Sequence, residues 1–319
     1  MQRWVMILFA FPCALAFIGA EPAGAATNPR TVAATSPGYW LMTAQGATYA
    51  YNAPYLADVA TNSAGNPLDH IGLSDCGNGP GTPIPEVTQC VGIAANPAGQ
   101  GYWVGQRSFF VQNGVSQYAD SGIPQGSVVG ECNGPESAGA YQPTSLVGIA
   151  SAPSGAWLAT ANGGVFAICG ASFFGSMGGA RLNAAVSGIA ATPDGNGYWE
   201  VGADGGVYAF GDAGFYGSMG SRPLNLPIVG IAASPDGRGY WLVASDGGVF
   251  AFGDAGFSGS MGGRSLNAPM VGIAANPTGS GYWTVAGDGG VFAFGGAPYL
   301  GSPEGRIFDT SVVGIASRG

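Results

Sequence analysis

The chain has 319 residues, a formal net charge of −9 and only 8% charged residues, with no lysine at all. Neutralising nucleic-acid phosphates, or gripping an anionic membrane surface, needs clustered cations, so both partners are disfavoured. Glycine (59 residues) and proline (22) suggest a low-complexity segment, but a strict internal period removes that reading.

The amino-terminal stretch reads as an export signal. Arg3 supplies a short positive start, Trp4 to Ala20 is nearly all apolar, and Ala23-Gly24-Ala25 or Gly24-Ala25-Ala26 offers a small-x-small cleavage site. An uncleaved anchor is the alternative, but the apolar run is short for a span. Residues 1–26 are therefore assigned to a signal peptide and 27–319 to one exported domain, secreted or associated with the cell envelope. No later apolar run is long enough to cross a membrane, so no span is expected after cleavage.

Four cysteines remain after processing: Cys76, Cys90, Cys132 and Cys169. An even number in an exported chain reads as disulfides, with three possible connectivities. Cys76–Cys90 is favoured because the two bracket one insertion and would close a short loop, and Cys132–Cys169 then follows by elimination. Neither spacing resembles a zinc site and His70 is the only histidine, so no metal or cofactor is expected.

Self-similarity dominates the rest. Trp157, Trp199, Trp241 and Trp283 stand 42 residues apart, and Trp40 and Trp103 extend the series with intervals of 63 and 54. The longer intervals mark insertions at about 62–90 and 120–146. Within one unit, Val229–Ala233 reads as a small-residue inner strand, Pro235–Gly239 as a turn and Tyr240–Ala244 as a second strand. Asp246-Gly247 is a hairpin signal, Gly248–Phe252 a third strand, and Phe257–Met261 a shorter outer fourth strand. A period near 40–45 with several short strands predicts propeller blades. The expected fold is all-β: a six-bladed β-propeller of four-stranded blades. Its ends would close the ring by sharing one blade, Gly38-Tyr-Trp40 supplying a second strand and Val312–Ala316 the first.

The phrase Gly-Tyr-Trp-Leu-Val-Ala-Ser-Asp-Gly-Gly-Val-Phe-Ala-Phe-Gly-Asp-Ala (239–255) resembles the repeats of exported, largely uncharacterised actinobacterial proteins. The likeness is strong from about Ser145 onward and weak across 27–140. It implies a propeller-like fold but no activity, and it carries over no catalytic residue. Ser234–Trp241 is a fainter echo of sialidase-type Asp-boxes, with its glycine one place late; even a true Asp-box marks a fold and not a hydrolase.

Candidate functional residues fall into three sets. Asp204, Asp246 and Asp288 share one position, but Asn162 and Gln45 hold it elsewhere, which fits turn chemistry better than cation binding. Arg181, Arg222, Arg264 and Arg306 recur in the loops between units and could form a guanidinium rim for an anionic glycan or carboxylate partner. The insertions share the phrases Cys76-Gly-Asn-Gly-Pro80 and Cys132-Asn-Gly-Pro135, and the first adds Asp69, His70 and Asp75. No motif completes a catalytic site around His70, and Glu200, on a strand expected to be buried, is a lone acid where paired carboxylates would be needed for glycoside hydrolysis. The reading is a monomeric recognition scaffold for a protein or glycan rather than an enzyme. The alternative is a hydrolase or lyase at the mouth of the central channel.

Overall fold

Each repeat carries two turn signals, and the strands they separate are too short to bury a core alone. The structure, a computed structural model, describes residues 37–44, 48–53, 87–95, 101–112, 115–126, 146–168, 170–303 and 311–318. No helix occurs among them; they form eighteen strands in six three-stranded antiparallel sheets. In chain order these are β1 (Gly38–Thr43) and β2 (Thr48–Tyr51), then β3 (Val87–Ala95), β4 (Gly101–Gln112) and β5 (Val115–Gly126). There follow β6 (Leu146–Ala152), β7 (Gly155–Thr160), β8 (Val165–Ile168), β9 (Val186–Ala191), β10 (Gly197–Gly202) and β11 (Val207–Gly211). The last are β12 (Ile228–Ala233), β13 (Gly239–Ala244), β14 (Val249–Gly253), β15 (Met270–Ala275), β16 (Gly281–Ala286), β17 (Val291–Gly295) and β18 (Val312–Arg318).

Five sheets are formed by consecutive strands. The sixth has the order β18-β1-β2, so the final strand pairs with the first. Its register repeats that of the other sheets: Trp40 faces Ala316 as Trp241 faces Ala232. The architecture is that of a β-propeller-like repeat fold.

Middle strands such as β10, β13 and β16 are buried at every residue, which requires cover on both faces. Neighbouring sheets supply it. One apolar cluster joins Trp199 and Val201 to Tyr240 and Leu242 of the next sheet, and another joins Trp283 and Val285 to Tyr39 and Leu41. Burying each tryptophan removes about 150–250 Å² from water, worth roughly 4–6 kcal/mol as an upper bound. The Val-Gly-Ile-Ala motif has a packing reason. A Cβ on Gly148 would stand 3.3 Å from Ile189 Cγ2, one on Gly272 3.3 Å from Ile315 Cγ2, and one on Gly314 3.4 Å from Ile93 Cγ2. Each glycine thus seats the isoleucine of the following motif, and the last seats that of β3.

The expected fourth strand forms no ladder. Phe257–Met261 lies in an extended arm, as do 171–177, 213–219 and 297–303, and none of these is a strand. Several of their backbone groups are bound by side chains and turns instead. Trp241 Nε1 donates to Gly256 O at 2.8 Å from the arm's own sheet, while Tyr282 of the next sheet accepts from Ser258 N at 3.2 Å and donates to Gly259 O at 2.6 Å. Met261 N then donates to Gly247 O at 2.9 Å. Gly247 sits at φ +85°, and a Cβ there would meet Met261 Cβ at 2.6 Å, so the hairpin turn needs glycine twice over. The same clasp links chain ends, Tyr39 Oη donating to Gly301 O at 2.5 Å.

The second repeat departs from the rest. Trp103 faces Pro124, twenty-one residues on, where Trp157 faces Ala167, ten residues on. Its extra residues lengthen the β4–β5 hairpin and end in Gly126, so the insertion assigned to 120–146 begins earlier than the sequence reading placed it. β3 follows the extension, Val87 pairing Phe109, so the end of the 62–90 insertion is strand as well.

Tyr240→Phe removes one hydroxyl that holds an arm and should cost about 1–2 kcal/mol, read as a lower melting temperature. Deleting residues 311–319 removes β18 and the pairing partner of β1; a sharply lowered melt is expected, and an unchanged one would argue for an open solenoid.

Candidate functional site

At the hairpin end of the sheets, each turn acid is committed to its own turn. Asp204, Asp246 and Asp288 accept from the N–H groups of Gly206, Gly248 and Gly290 at 3.0, 2.9 and 3.0 Å, and Asn162 does the same for Gly164 at 3.2 Å. Asparagine serves equally because the bond needs an acceptor and no charge. The arginines come to this same end. Met219 N donates to Gly205 O and Arg222 N to Met219 O, at 2.9 and 2.8 Å, which carries Arg222 beside the Asp204 hairpin. Met261 and Arg264 repeat both bonds beside Gly247. Arg181, Arg222 and Arg264 are all exposed. A recess of about 290 Å³ is lined by Asp204, Ser221, Arg222 and Asn225 together with Leu224 and Leu226. Ser221 has φ +76° where the other repeats place Gly179 and Gly263 at +82° and +77°, so a side chain is held in the left-handed region at the recess's edge.

The opposite ends of the inner strands surround a cavity of about 400 Å³. Isoleucines and alanines form its wall, and Ser151, Thr192, Ser234 and Ser317 its collar. These hydroxyls are largely spent on turns. Ser234 Oγ donates to Asp236 Oδ1 at 2.6 Å and lies 3.0 Å from Gly239 O; Thr192 Oγ1 accepts from Gly197 N at 2.9 Å; Ser151 Oγ donates to Ala95 O. None of the described lining residues is an acid, histidine or cysteine. Nearby, Asp194 and Asp212 lie within mutual hydrogen-bonding reach on the surface. Bonds from Thr192 and Asn196 hold Asp194 down at about 2, whereas desolvation and the Asp194 carboxylate raise Asp212. Such closeness leaves no room for the water or sugar carbon that glycoside hydrolysis places between two carboxyls.

Glu200 is fully buried. It stands opposite Ile189 and Tyr208 in its sheet, where the other repeats pair Leu158 with Phe166 and Leu242 with Phe250. Oε2 accepts from Met177 N at 3.3 Å, and Oε1 has no partner among the described residues. Desolvation, only partly offset by the Met177 bond, pushes its pKa from 4.5 up to about 7. Met177 N thus serves the carboxylate where Met219 and Met261 bond a hairpin carbonyl. The sequence marked Glu200 as irregular; its full burial and half-satisfied carboxylate needed coordinates.

Asp69, His70, Asp75, Cys76, Cys132, Cys169 and Arg306 lie outside the described residues, as does the side chain of Cys90 and the export signal. Among the described residues no group of three or more His, Cys, Asp or Glu could hold a metal ion, and no helix is long and apolar enough to cross a membrane. Four side chains escaped the sequence reading: Phe173, Phe215, Phe257 and Tyr299, exposed by 58, 62, 63 and 60%. Their 42-residue spacing was visible, but the fourth-strand assignment gave them no face. No protein-family model matches the chain, and a search among curated proteins returns no match.

Because the folded pKa of Glu200 exceeds its unfolded value, the folded state binds more protons between about pH 4.5 and 7, and stability falls as pH rises through that window. The loss is on the order of 3 kcal/mol and is complete above the window. Glu200→Leu, which installs the residue of Leu158 and Leu242 and frees Met177 N for Gly163, should raise the melting temperature at pH 8 and flatten its decline. If the variant's melt still drops between pH 5 and pH 8 as the parent's does, Glu200 is not the cause.

Proposed function

We propose that the chain is an exported recognition scaffold, a ring of six propeller blades sealed by β18 and β1, that binds an acidic partner at its hairpin rim. Six sheets, each sharing an apolar cluster with its neighbours, support the ring, as does Gly314 seating Ile93 across the two ends. Each blade's fourth element is then the clasped arm. Disulfide-pinned insertions, emerging beside the extended β4–β5 hairpin, would frame the same rim.

The observation that carries the binding site is the grouping of exposed arginines with hairpin turns in successive repeats, one of them, Arg222, lining a recess with Asp204, Ser221 and Asn225. Guanidinium groups present paired donors to a carboxylate, and in the absence of lysine they are the only fixed cations available. The partner is a protein or glycan bearing carboxylates. A hydrolase or lyase at the channel mouth would need an acid, base or nucleophile there, and the wall supplies alanine, isoleucine and hydroxyls bound into turns.

Arg222→Gln with Arg264→Gln should reduce capture of acidic glycans on an array about tenfold while leaving the melt unchanged, because exposed pairs contribute little to folding. Trimming residues 66–89 or 131–142 should also weaken it. Full binding by the double variant and by both trimmed chains would eliminate the rim.

A further inference from the structure

Four arms expose one large aromatic each, at the same place. Among the described residues, Phe173, Phe215, Phe257 and Tyr299 turn about three-fifths of their surface to water. Isolated exposed apolar residues are ordinary. Recurrence in four consecutive units is not, and the adjoining positions vary more: Ser172, Gly214, Gly256 and Pro298 precede the ring, while Phe174, Tyr216, Ser258 and Leu300 follow. Aromatic character is kept where the adjoining positions change.

The backbone beneath each ring is fixed from both sides. The preceding carbonyl accepts from a tryptophan Nε1, at 2.8 Å for Ser172, 2.7 Å for Gly214, 2.8 Å for Gly256 and 2.8 Å for Pro298. The following N–H donates to a tyrosine hydroxyl of the next sheet at 3.2 Å in Phe174, Tyr216 and Ser258. Phe173, Phe215 and Phe257 themselves make no hydrogen bond among the described residues, so each leaves an amide free next to its ring. The ring is held out on a rigid mount, and a rigid platform loses little entropy when a ligand settles on it.

We propose that these four side chains are stacking platforms for the sugar rings of a neutral polysaccharide. One platform per sheet, at the outer edge, cannot merge into the roughly 800 Å² per partner that a stable protein interface or dimer requires. Four equivalent small sites suit a ligand of repeating units. The C–H face of a pyranose carries partial positive charge toward the negative face of the aromatic ring, and its hydroxyls find the free amides beside it. Asp212 and Asp254, three residues before Phe215 and Phe257, and a net charge of −9 disfavour an anionic ligand here. The hairpin rim is a separate surface, and neither site depends on the other.

Retention of the purified full chain on insoluble cellulose, chitin and curdlan tests this. Binding to at least one is expected, weak for its soluble oligosaccharide and about a hundredfold tighter for the polymer, because linked sites raise effective concentration. Phe257→Ala should weaken polymer binding about threefold to tenfold and Phe257→Trp should preserve it. The variant with alanine at all four positions should melt like the parent and bind nothing. The proposal is overturned if that variant, with a parental melt, still binds, or if the parent binds none of the three polymers. It is also overturned if the rings instead drive self-association in light scattering or adsorption to phosphatidylcholine vesicles. Arg222→Gln with Arg264→Gln should leave polysaccharide retention intact; loss there, with the alanine variant still bound, would credit the rim and not the rings.

Discussion

A tyrosine hydroxyl that accepts one amide proton and donates to the carbonyl of the next residue is the bond on which the arrangement of sheets depends. Tyr198, Tyr240 and Tyr282 each hold the arm of the preceding repeat in this way, while that arm's own tryptophan holds it from behind. Apolar contact between sheets is strong but has no preferred angle. The hydroxyl has one, and it converts greasy stacking into a defined spacing. It also accounts for the lack of a ladder in the arm: the carbonyl before each exposed ring, and the amide and carbonyl after it, are taken by side chains from two sheets.

The tryptophan period, the Asp-Gly hairpins and the complementary ends were legible because they are backbone demands with residue signatures. Trp40 and Ala316 could be paired from sequence since every other repeat pairs the same two residues. The arm was not legible, because Phe257–Met261 has the composition of a strand and nothing in it names tyrosines twenty-odd residues downstream. The lengthened β4–β5 hairpin was legible and passed over: Asn113-Gly114, a strong two-residue turn signal, stands between its strands. At the sites, recurrence located the arginines, but only folding showed that Arg222 shares a recess with Asp204, and that Asp194 and Asp212, eighteen positions apart, come side by side.

Repeats this alike invite mispairing, since each glycine would accept any isoleucine and each arm any tyrosine. Glu200 differs. Its carboxylate replaces the leucine of three other repeats at one boundary, takes the Met177 amide and sits opposite Tyr208, where three repeats have Phe166, Phe250 and Phe292. Thr284, buried with its hydroxyl unpartnered among the described residues, marks another boundary. Such buried polar groups cost stability, and they give otherwise interchangeable neighbours an address.

The pairing of β18 with β1 also sets an order of events in time. Ribosomes deliver β1 first and β18 last, so one edge of the opening sheet waits through the making of the whole chain. A partner about 270–280 residues away closes that edge slowly, because distant contacts form only after the entropy of a long loop is lost. Until then β1 pairs with β2 alone, and its open edge is the part of that sheet most exposed to mispairing.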